Sequence, residues 1–124
     1  MIAGGSGITP FLQILGQISQ EAEVAPTCSL IYANKTAQDI WLLNRLKQLQ
    51  KELNSRLKIE LLVEEKSPNL DMRVGRVTKG LLEELLRPAS SDHLVLHCGP
   101  SAMNNHVQKC LQELGHEATN CFQY

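Results

Sequence analysis

Two glycine-bearing turns contain the residues whose types and spacing could do chemistry. The first is GGSGITP, residues 4–10, where glycines allow a sharp turn and a close approach of the backbone to a ligand. A helix beginning near Pro10 would offer free N–H groups and a positive dipole end to a pyrophosphate, and Ser6 and Thr9 would add hydroxyl donors. The G-x-G spacing favours a nucleotide loop, although a plain tight turn between strand and helix stays open as an alternative.

The second turn is CGP, residues 98–100, which directly follows an apolar segment. Gly99 and Pro100 force the chain to turn, so the Cys98 thiol would lie at the end of a strand, beside a crevice. A thiol in that place could contact a flat apolar ring such as nicotinamide. The competing interpretation is a small, buried apolar side chain, and a covalent nucleophile is not expected.

A third candidate is the acidic pair Glu64 and Glu65, which follows the apolar segment LKIELLV. An acid at the end of a strand can bind adenosine ribose hydroxyls and would repel a 2′-phosphate. In the usual dinucleotide fingerprint this acid follows the second strand, whereas here it would follow the third. A solvated pair at a strand end therefore remains open.

The cysteines and histidines do not form a metal-binding pattern. The four cysteines, Cys28, Cys98, Cys110 and Cys121, include no C-x-x-C pair, and the four histidines are unclustered. Reduced, mostly buried thiols and no metal site are therefore expected.

Composition places the chain among ordinary globular proteins. Its 124 residues are 43% hydrophobic and 20% charged, with a net charge of −1, which predicts one domain with a modest core. The balanced charge gives no reason to expect nucleic acid or an anionic membrane as a partner. The sequence contains neither an apolar run of membrane-spanning length nor a signal peptide.

The elements that must position these turns alternate between strand and helix. Apolar or β-branched segments predict five strands, and four helices separate them, which argues for an α/β fold with a three-layer, doubly wound parallel sheet. Ligands of such sheets bind beyond the carboxyl ends of the strands, where both turns would lie. The predicted strands are MIA, TCSLIYANK, LKIELLVE, HLVLHC and CFQY.

The helix ends carry their own signals. Thr9, Thr36 and Thr78 are predicted N-caps, with Asp39 placed to complete the cap at Thr36, and Gly115 is the expected C-terminal cap of the last helix. Residues 65–76 are predicted to form a long polar connection. The predicted buried stripe of the second helix consists of Leu42, Leu46, Leu49 and Leu53.

Four segments, in order along the chain, carry a family resemblance: MIAGGSGITPFLQIL, IYANKTAQDI, GRVTKGLLEELL and LVLHCGPSAM. Together with a terminal aromatic, they resemble the NADH-binding half of the NADH–cytochrome b5 reductases, which belong to the ferredoxin–NADP reductase-like flavoenzymes. The resemblance implies a five-stranded sheet of order 3-2-1-4-5. It also implies that residues 1–124 are an NAD-binding domain with a truncated first strand and no upstream FAD-binding domain in this chain.

The resemblance also implies roles for individual residues. Cys98, as the catalytic position, would hold the nicotinamide against the flavin together with Gly99, Pro100 and Met103. Asn34 and Thr36 would border the adenosine, Glu64 would favour NADH over NADPH, and Tyr124 would lie near the domain interface. The pyrophosphate and nicotinamide end of NADH would be lined by Gly4, Gly5, Ser6, Gly7, Thr9 and Pro10.

The implied activity is that of an NADH-dependent oxidoreductase. NADH would pass a hydride to FAD on a domain in cis, and electrons would leave to cytochrome b5 or a similar haem protein. The chain alone would then be inactive, and a non-catalytic nucleotide-binding or regulatory module is the alternative. The resemblance places the domain in the cytoplasm, without membrane contact of its own, on the cytosolic face of the endoplasmic reticulum or outer mitochondrial membrane in the full-length protein.

Overall fold

The computed structural model of the chain describes residues 1–21, 24, 26–68 and 72–124. Within this part a six-stranded sheet has the order β4-β3-β2-β1-β5-β6, and every neighbouring pair is parallel. The α/β class with a parallel sheet is confirmed. The strands are β1 (Ile2–Gly4), β2 (Cys28–Asn34), β3 (Leu57–Val63), β4 (Arg73–Val74), β5 (Val95–Cys98) and β6 (Cys121–Gln123).

Four α-helices connect these strands and cover both faces of the sheet. One buried cluster joins Phe11 and Leu15 of the first helix to Leu46 and Leu49 of the second. The other joins the third and fourth helices on the opposite face. Successive strand residues divide between the two clusters because side chains alternate along a strand. The helices are α1 (Thr9–Gln20), α2 (Leu43–Leu53), α3 (Lys79–Leu85) and α4 (Ser101–Glu113).

The strand count is one more than predicted, because β4 lies inside the expected polar connection. Its two residues pair with the end of β3, in the register Leu62 with Arg73 and Val63 with Val74. Arg73 donates to Glu60 on β3 at 2.9 Å and to Glu84 on α3 at 2.7 Å. Without β4 the order is the expected 3-2-1-4-5, so the predicted fourth and fifth strands are β5 and β6.

Strand β1 is short but central, as predicted. Ile2 pairs with Ile31 of β2 on one side and with His97 of β5 on the other. The Ile31 N–H donates to the Met1 carbonyl at 2.9 Å, and the amino terminus donates to the Ser29 carbonyl at 2.7 Å. The turn that follows β1 is therefore anchored in the middle of the sheet.

Thr9 does not cap α1, so that prediction is wrong. A 3₁₀ turn, Gly5–Ile8, runs directly into the helix, and Thr9 already has helical backbone angles. Its hydroxyl donates to the Ser6 carbonyl. The glycines let the chain coil immediately after β1, so helical geometry begins earlier than Pro10 alone suggests.

The second helix also begins differently from the prediction. Thr36 and Asp39 form the expected capping box, with the Thr36 N–H donating to the Asp39 carboxylate at 3.0 Å, but the box closes only the 3₁₀ turn Ala37–Asp39. Leu42 then adopts a left-handed φ of 56°, and α2 starts at the next residue. Leu42 is consequently 54% exposed, whereas the rest of its predicted stripe, Leu46, Leu49 and Leu53, is buried.

Two further end signals are confirmed. The Leu81 N–H donates to Thr78 Oγ1 at 3.2 Å, so Thr78 caps α3. Gly115 follows α4 with a φ of +83°, a conformation that glycine adopts without strain. No helix in the described ranges is long and apolar enough to cross a membrane.

Candidate functional site

A cleft of about 340 Å³ opens at the carboxyl edge of the sheet, between the turns that follow β1 and β5. These strands lie where the chain order of the sheet reverses, which is the usual ligand position in doubly wound folds. The two predicted turns thus come together around one space. Nine residues line it: Gly4, Gly5, Ser6, Gly7, Thr9, Pro10, Cys98, Gly99 and Pro100.

Direct backbone contact holds the two turns together. Ala3 and Cys98 are partners across the β1–β5 ladder. Beyond that pair, Gly7 lies so close to the other turn that a Cβ on it would stand 2.5 Å from the Cys98 carbonyl carbon and 2.9 Å from the Gly99 nitrogen. Contact this close is possible only without a side chain at residue 7, so this glycine is required for the shape of the cleft.

Gly5 serves a different purpose in the first turn. Its φ is +53°, and a Cβ built on it would meet nothing within 4 Å. The glycine is therefore needed for the left-handed backbone and not for packing. Its bare Cα leaves the backbone of the turn open to the cleft.

Met103 lies behind the cleft and not in its lining. Its Sδ stands 2.6 Å from a Cβ built on Gly4, and its Cε stands 2.5 Å from one built on Gly99. The thioether thus fills the space that these two glycines leave, and it supports both turns from the side of α4.

Two buried polar residues that sequence reasoning missed hold the second turn. Asn104 Nδ2 donates to the Gly99 carbonyl at 2.8 Å, and Asn104 Oδ1 lies 3.1 Å from His97 Nδ1. His97 and Asn104 are 2% and 3% exposed. The available signal was an amide directly after Met103, in the helix that follows the second turn.

Asn34 is the last residue of β2, one strand away from the first glycine turn. Its neighbour Ala33 is paired with Gly4. Asn34 is 8% exposed, and within the described residues neither its Nδ2 nor its Oδ1 has a hydrogen-bond partner. Buried amides are normally satisfied, so a ligand with donor and acceptor groups fits here.

Glu64 stands further along the same edge, at the end of β3. Its N–H donates to the Asn34 and Lys35 carbonyls at 3.2 and 3.1 Å, which fixes its backbone beside the end of β2. Its carboxylate accepts from Arg76 at 2.8 Å. Glu64 and Asn34 are outside the cleft lining and form a row that extends from it toward the edge of the sheet.

Cys98 is half-buried and lines the cleft, whereas the other three cysteines are elsewhere. All four are free thiols. Only Cys110 is fully buried and the other three are partly buried, so the prediction of mostly buried thiols is wrong for those three. Burial raises the pKa of Cys28, Cys110 and Cys121, which disfavours their reactive thiolate forms. No group of three or more metal-binding side chains occurs in the part of the chain that the structure describes.

Tyr124 lies against the start of α1, close to the cleft. Its ring packs edge-on against Phe11 at a centroid distance of 5.9 Å, and its N–H donates to the His97 carbonyl at 2.9 Å. The side chain is 58% exposed, and Phe122 on β6 is 50% exposed. The ring of Tyr124 therefore presents apolar surface beside the turn residues.

Comparison with known proteins identifies the class. The family described as the oxidoreductase NAD-binding domain matches residues 1–109, and the chain belongs to this family. Over its whole length it is 38% identical to NADH-cytochrome b5 reductase 2 of Danio rerio and 34% identical to NADH-cytochrome b5 reductase 3 of Rattus norvegicus. It spans 40% and 42% of those two relatives.

A solved structure agrees with this assignment. The cytochrome b5 reductase domain of Ulva prolifera nitrate reductase matches with a TM-score of 0.92 and 28% identity. The match covers 100% of this chain and 48% of that one. The recognised resemblance and the nucleotide-binding fold are therefore confirmed.

Proposed function

We propose that the chain binds NADH in the cleft and presents the nicotinamide to a flavin, as the NAD-binding domain of a cytochrome b5 reductase-like enzyme. The observation that carries this proposal is the meeting of two glycine turns, from distant parts of the sequence, around one cleft at the strand-order reversal. In this proposal residues 1–124 are the NAD-binding domain, and a FAD-binding domain belongs to the same polypeptide.

The first turn is suited to hold the pyrophosphate. The amide groups at the start of a helix lack partners within the helix, and they point along its positive dipole end. Here that end is the 3₁₀ turn Gly5–Ile8 continuing into α1, and the turn lines the cleft. The Thr9 hydroxyl donates to the Ser6 carbonyl, so Thr9 stabilises the turn and leaves phosphate contacts to the backbone.

The second turn is suited to position the nicotinamide. Cys98, Gly99 and Pro100 form one wall of the cleft, and Met103 packs behind Gly99. The bound NADH would supply the hydride, and the protein would supply position and exclusion of water. The Asn104 bond to the Gly99 carbonyl fixes that wall, so His97 and Asn104 act as positioning residues.

The adenosine end is assigned to the row at the ends of β2 and β3. Asn34 offers a buried amide with both polar atoms unpartnered among the described residues. Glu64 places a carboxylate next along the edge, where ribose hydroxyls could donate to it. Pyrophosphate at the first turn and adenosine over this row give an extended cofactor running across three adjacent strands.

Two observations support the proposed partners: the names of the relatives and the exposed aromatic residues near the carboxyl terminus. Tyr124 is a half-exposed aromatic side chain that packs on Phe11 beside the cleft, and Phe122 is exposed two residues earlier, which suits contact with a neighbouring flavin domain. Cytochrome b5 or a similar haem protein is the proposed electron acceptor of the complete enzyme. The proposed location of this domain is the cytosolic side of the membranes to which such reductases are anchored.

The test is a titration of the ¹⁵N-labelled chain with NADH, followed by NMR. The backbone amide signals of residues 4–9 and of Cys98 and Gly99 are expected to shift first, together with the Asn34 side-chain amide, since Pro10 and Pro100 have no N–H. Gly80 on α3 is an internal reference, because it lies outside both turns. Shifts confined to another surface would exclude the proposed site. One such surface is the small cavity between α4 and β6 that Gln108, Gln112 and Cys121 help to line.

A further inference from the structure

The carboxylate assigned to the adenosine ribose is already paired with a cation. Glu64 Oε2 lies 2.8 Å from Arg76 Nη2. An isolated acid in this place would repel the 2′-phosphate of NADPH, which is the usual basis of a preference for NADH. Here the guanidinium compensates that negative charge, so the acid alone does not determine which nucleotide the corner accepts.

Backbone bonds fix both groups at the same corner of the sheet. The Glu64 N–H is held by the end of β2, and the Gly75 N–H donates to the Val63 carbonyl at 2.8 Å. Gly75 has a φ of +142°, which allows the chain to turn directly before Arg76. The backbone of Arg76 is thus held near that of Glu64, and this placement does not depend on the partner of the guanidinium.

The guanidinium of Arg76 is held loosely, in contrast to that of Arg73. Arg73 makes three bonds to two carboxylates, those of Glu60 and Glu84, and its side chain is 35% exposed. Among the residues that the structure describes, Arg76 bonds to Glu64 alone, and its side chain is 77% exposed. Exposed single ion pairs of this kind are weak, so Arg76 can exchange its partner.

We propose that Arg76 gives this site a dual specificity, for NADPH as well as NADH. The inference rests on the proposed function, because it needs the adenosine to lie over Asn34 and Glu64. With NADH, Glu64 accepts from the ribose hydroxyls while Arg76 neutralises the corner. With NADPH, the guanidinium turns to the 2′-phosphate, which it can bind through two parallel N–H donors.

The test is calorimetric titration of the chain with NADH and with NADPH. Wild type is expected to bind both, with dissociation constants within about tenfold of each other. Arg76→Gln removes a hydrogen bond to a charged group and also exposes the Glu64 carboxylate, so NADPH binding should weaken by about 10- to 100-fold. NADH binding should change by less than about threefold, because its ribose has no phosphate, and Arg76→Lys should restore part of the NADPH affinity.

Arg45→Gln is the matched control. Arg45 lies on α2, and it forms an exposed ion pair with Glu52 at 3.6 Å. The variant loses the same charge away from the nucleotide corner, so both affinities should stay at the wild-type values. An equal loss of NADPH affinity in this variant would mean that only the overall charge of the chain matters, and the proposal would be wrong.

The outcomes separate this inference from the proposed function. If NADH binds but wild type excludes NADPH, or if Arg76→Gln leaves NADPH binding unchanged, the dual specificity is refuted and the NADH site stands. If neither nucleotide binds to wild type, both proposals are refuted. A Glu64→Gln variant that binds NADPH more tightly than wild type would support the assignment of both side chains to the 2′ position.

Discussion

Gly7 gives the sharpest stability prediction, because its neighbours are backbone atoms. A Cβ on this residue would stand 2.5 Å from the Cys98 carbonyl carbon, and closer still to the carbonyl oxygen. No side-chain rotation can relieve this overlap, so the turns must move apart. We therefore expect Gly7→Ala to destabilise the fold and weaken nucleotide binding together.

The size of the effect follows from two opposing contributions. Forcing an extra methyl group into a packed site costs about 1–3 kcal/mol, and the upper end applies where the neighbour is rigid backbone. Alanine in place of glycine also restricts the unfolded chain, which returns about 0.4–1 kcal/mol. The net loss in the free energy of unfolding should be about 2 kcal/mol. With a urea m-value of roughly 2 kcal/mol/M, the midpoint would fall by about 1 M.

Two other glycines are controls for this measurement. Gly80 lies in α3, and a methyl group added there would meet nothing within 4 Å, so Gly80→Ala should stabilise by about 0.5–1 kcal/mol. Gly5 has equal space but a φ of +53°, so Gly5→Ala should cost about 1 kcal/mol through strain alone. Urea unfolding followed by circular dichroism measures all three. A midpoint for Gly7→Ala at or above that of wild type would refute the backbone-contact argument.

Two further predictions concern buried polar groups. Asn104→Ala leaves the Gly99 carbonyl and His97 without their partner. The variant should therefore lower the free energy of unfolding by about 1–3 kcal/mol and weaken NADH binding. An unchanged urea midpoint would contradict this prediction. Burial, aided by the nearby His93, lowers the pKa of His116. Its neutral form therefore stabilises the fold fully above its ordinary value of 6.5, and this contribution is lost as the pH falls below that value. Urea midpoints measured between about pH 7.5 and 5.5 should fall less in His116→Gln than in wild type.

The alternation of strand and helix could be predicted because each buried element has its own local pattern. Apolar runs of strand length alternate with helical periodicity, and glycine or proline marks the two turns at the carboxyl edge. Those signals were sufficient to predict that both glycine turns lie at the same edge of the sheet, where they line one cleft. The contact between Gly7 and Cys98 was not predictable, because it depends on the register between two distant strands.

Short and polar features were missed for a different reason. β4 has two residues, and it is held by the bonds of Arg73 to Glu60 and Glu84, which no local pattern reveals. The pairing of His97 with Asn104 joins a strand to a helix across the interior. Periodicity treats polar residues as exposed, so a buried pair that satisfies itself contradicts the pattern on which the prediction rests.

The glycines of the first turn allow folding and binding to be separated by experiment. A side chain at Gly7 disturbs the contact that shapes the cleft, so any loss of binding there includes a loss of structure. A side chain at Gly5 meets no protein atom within 4 Å and projects from backbone that lines the cleft. If the pyrophosphate lies against that backbone, Gly5→Ala should weaken NADH binding more than its small effect on stability explains. The ratio of the two losses therefore distinguishes a ligand-binding turn from one that is only structural.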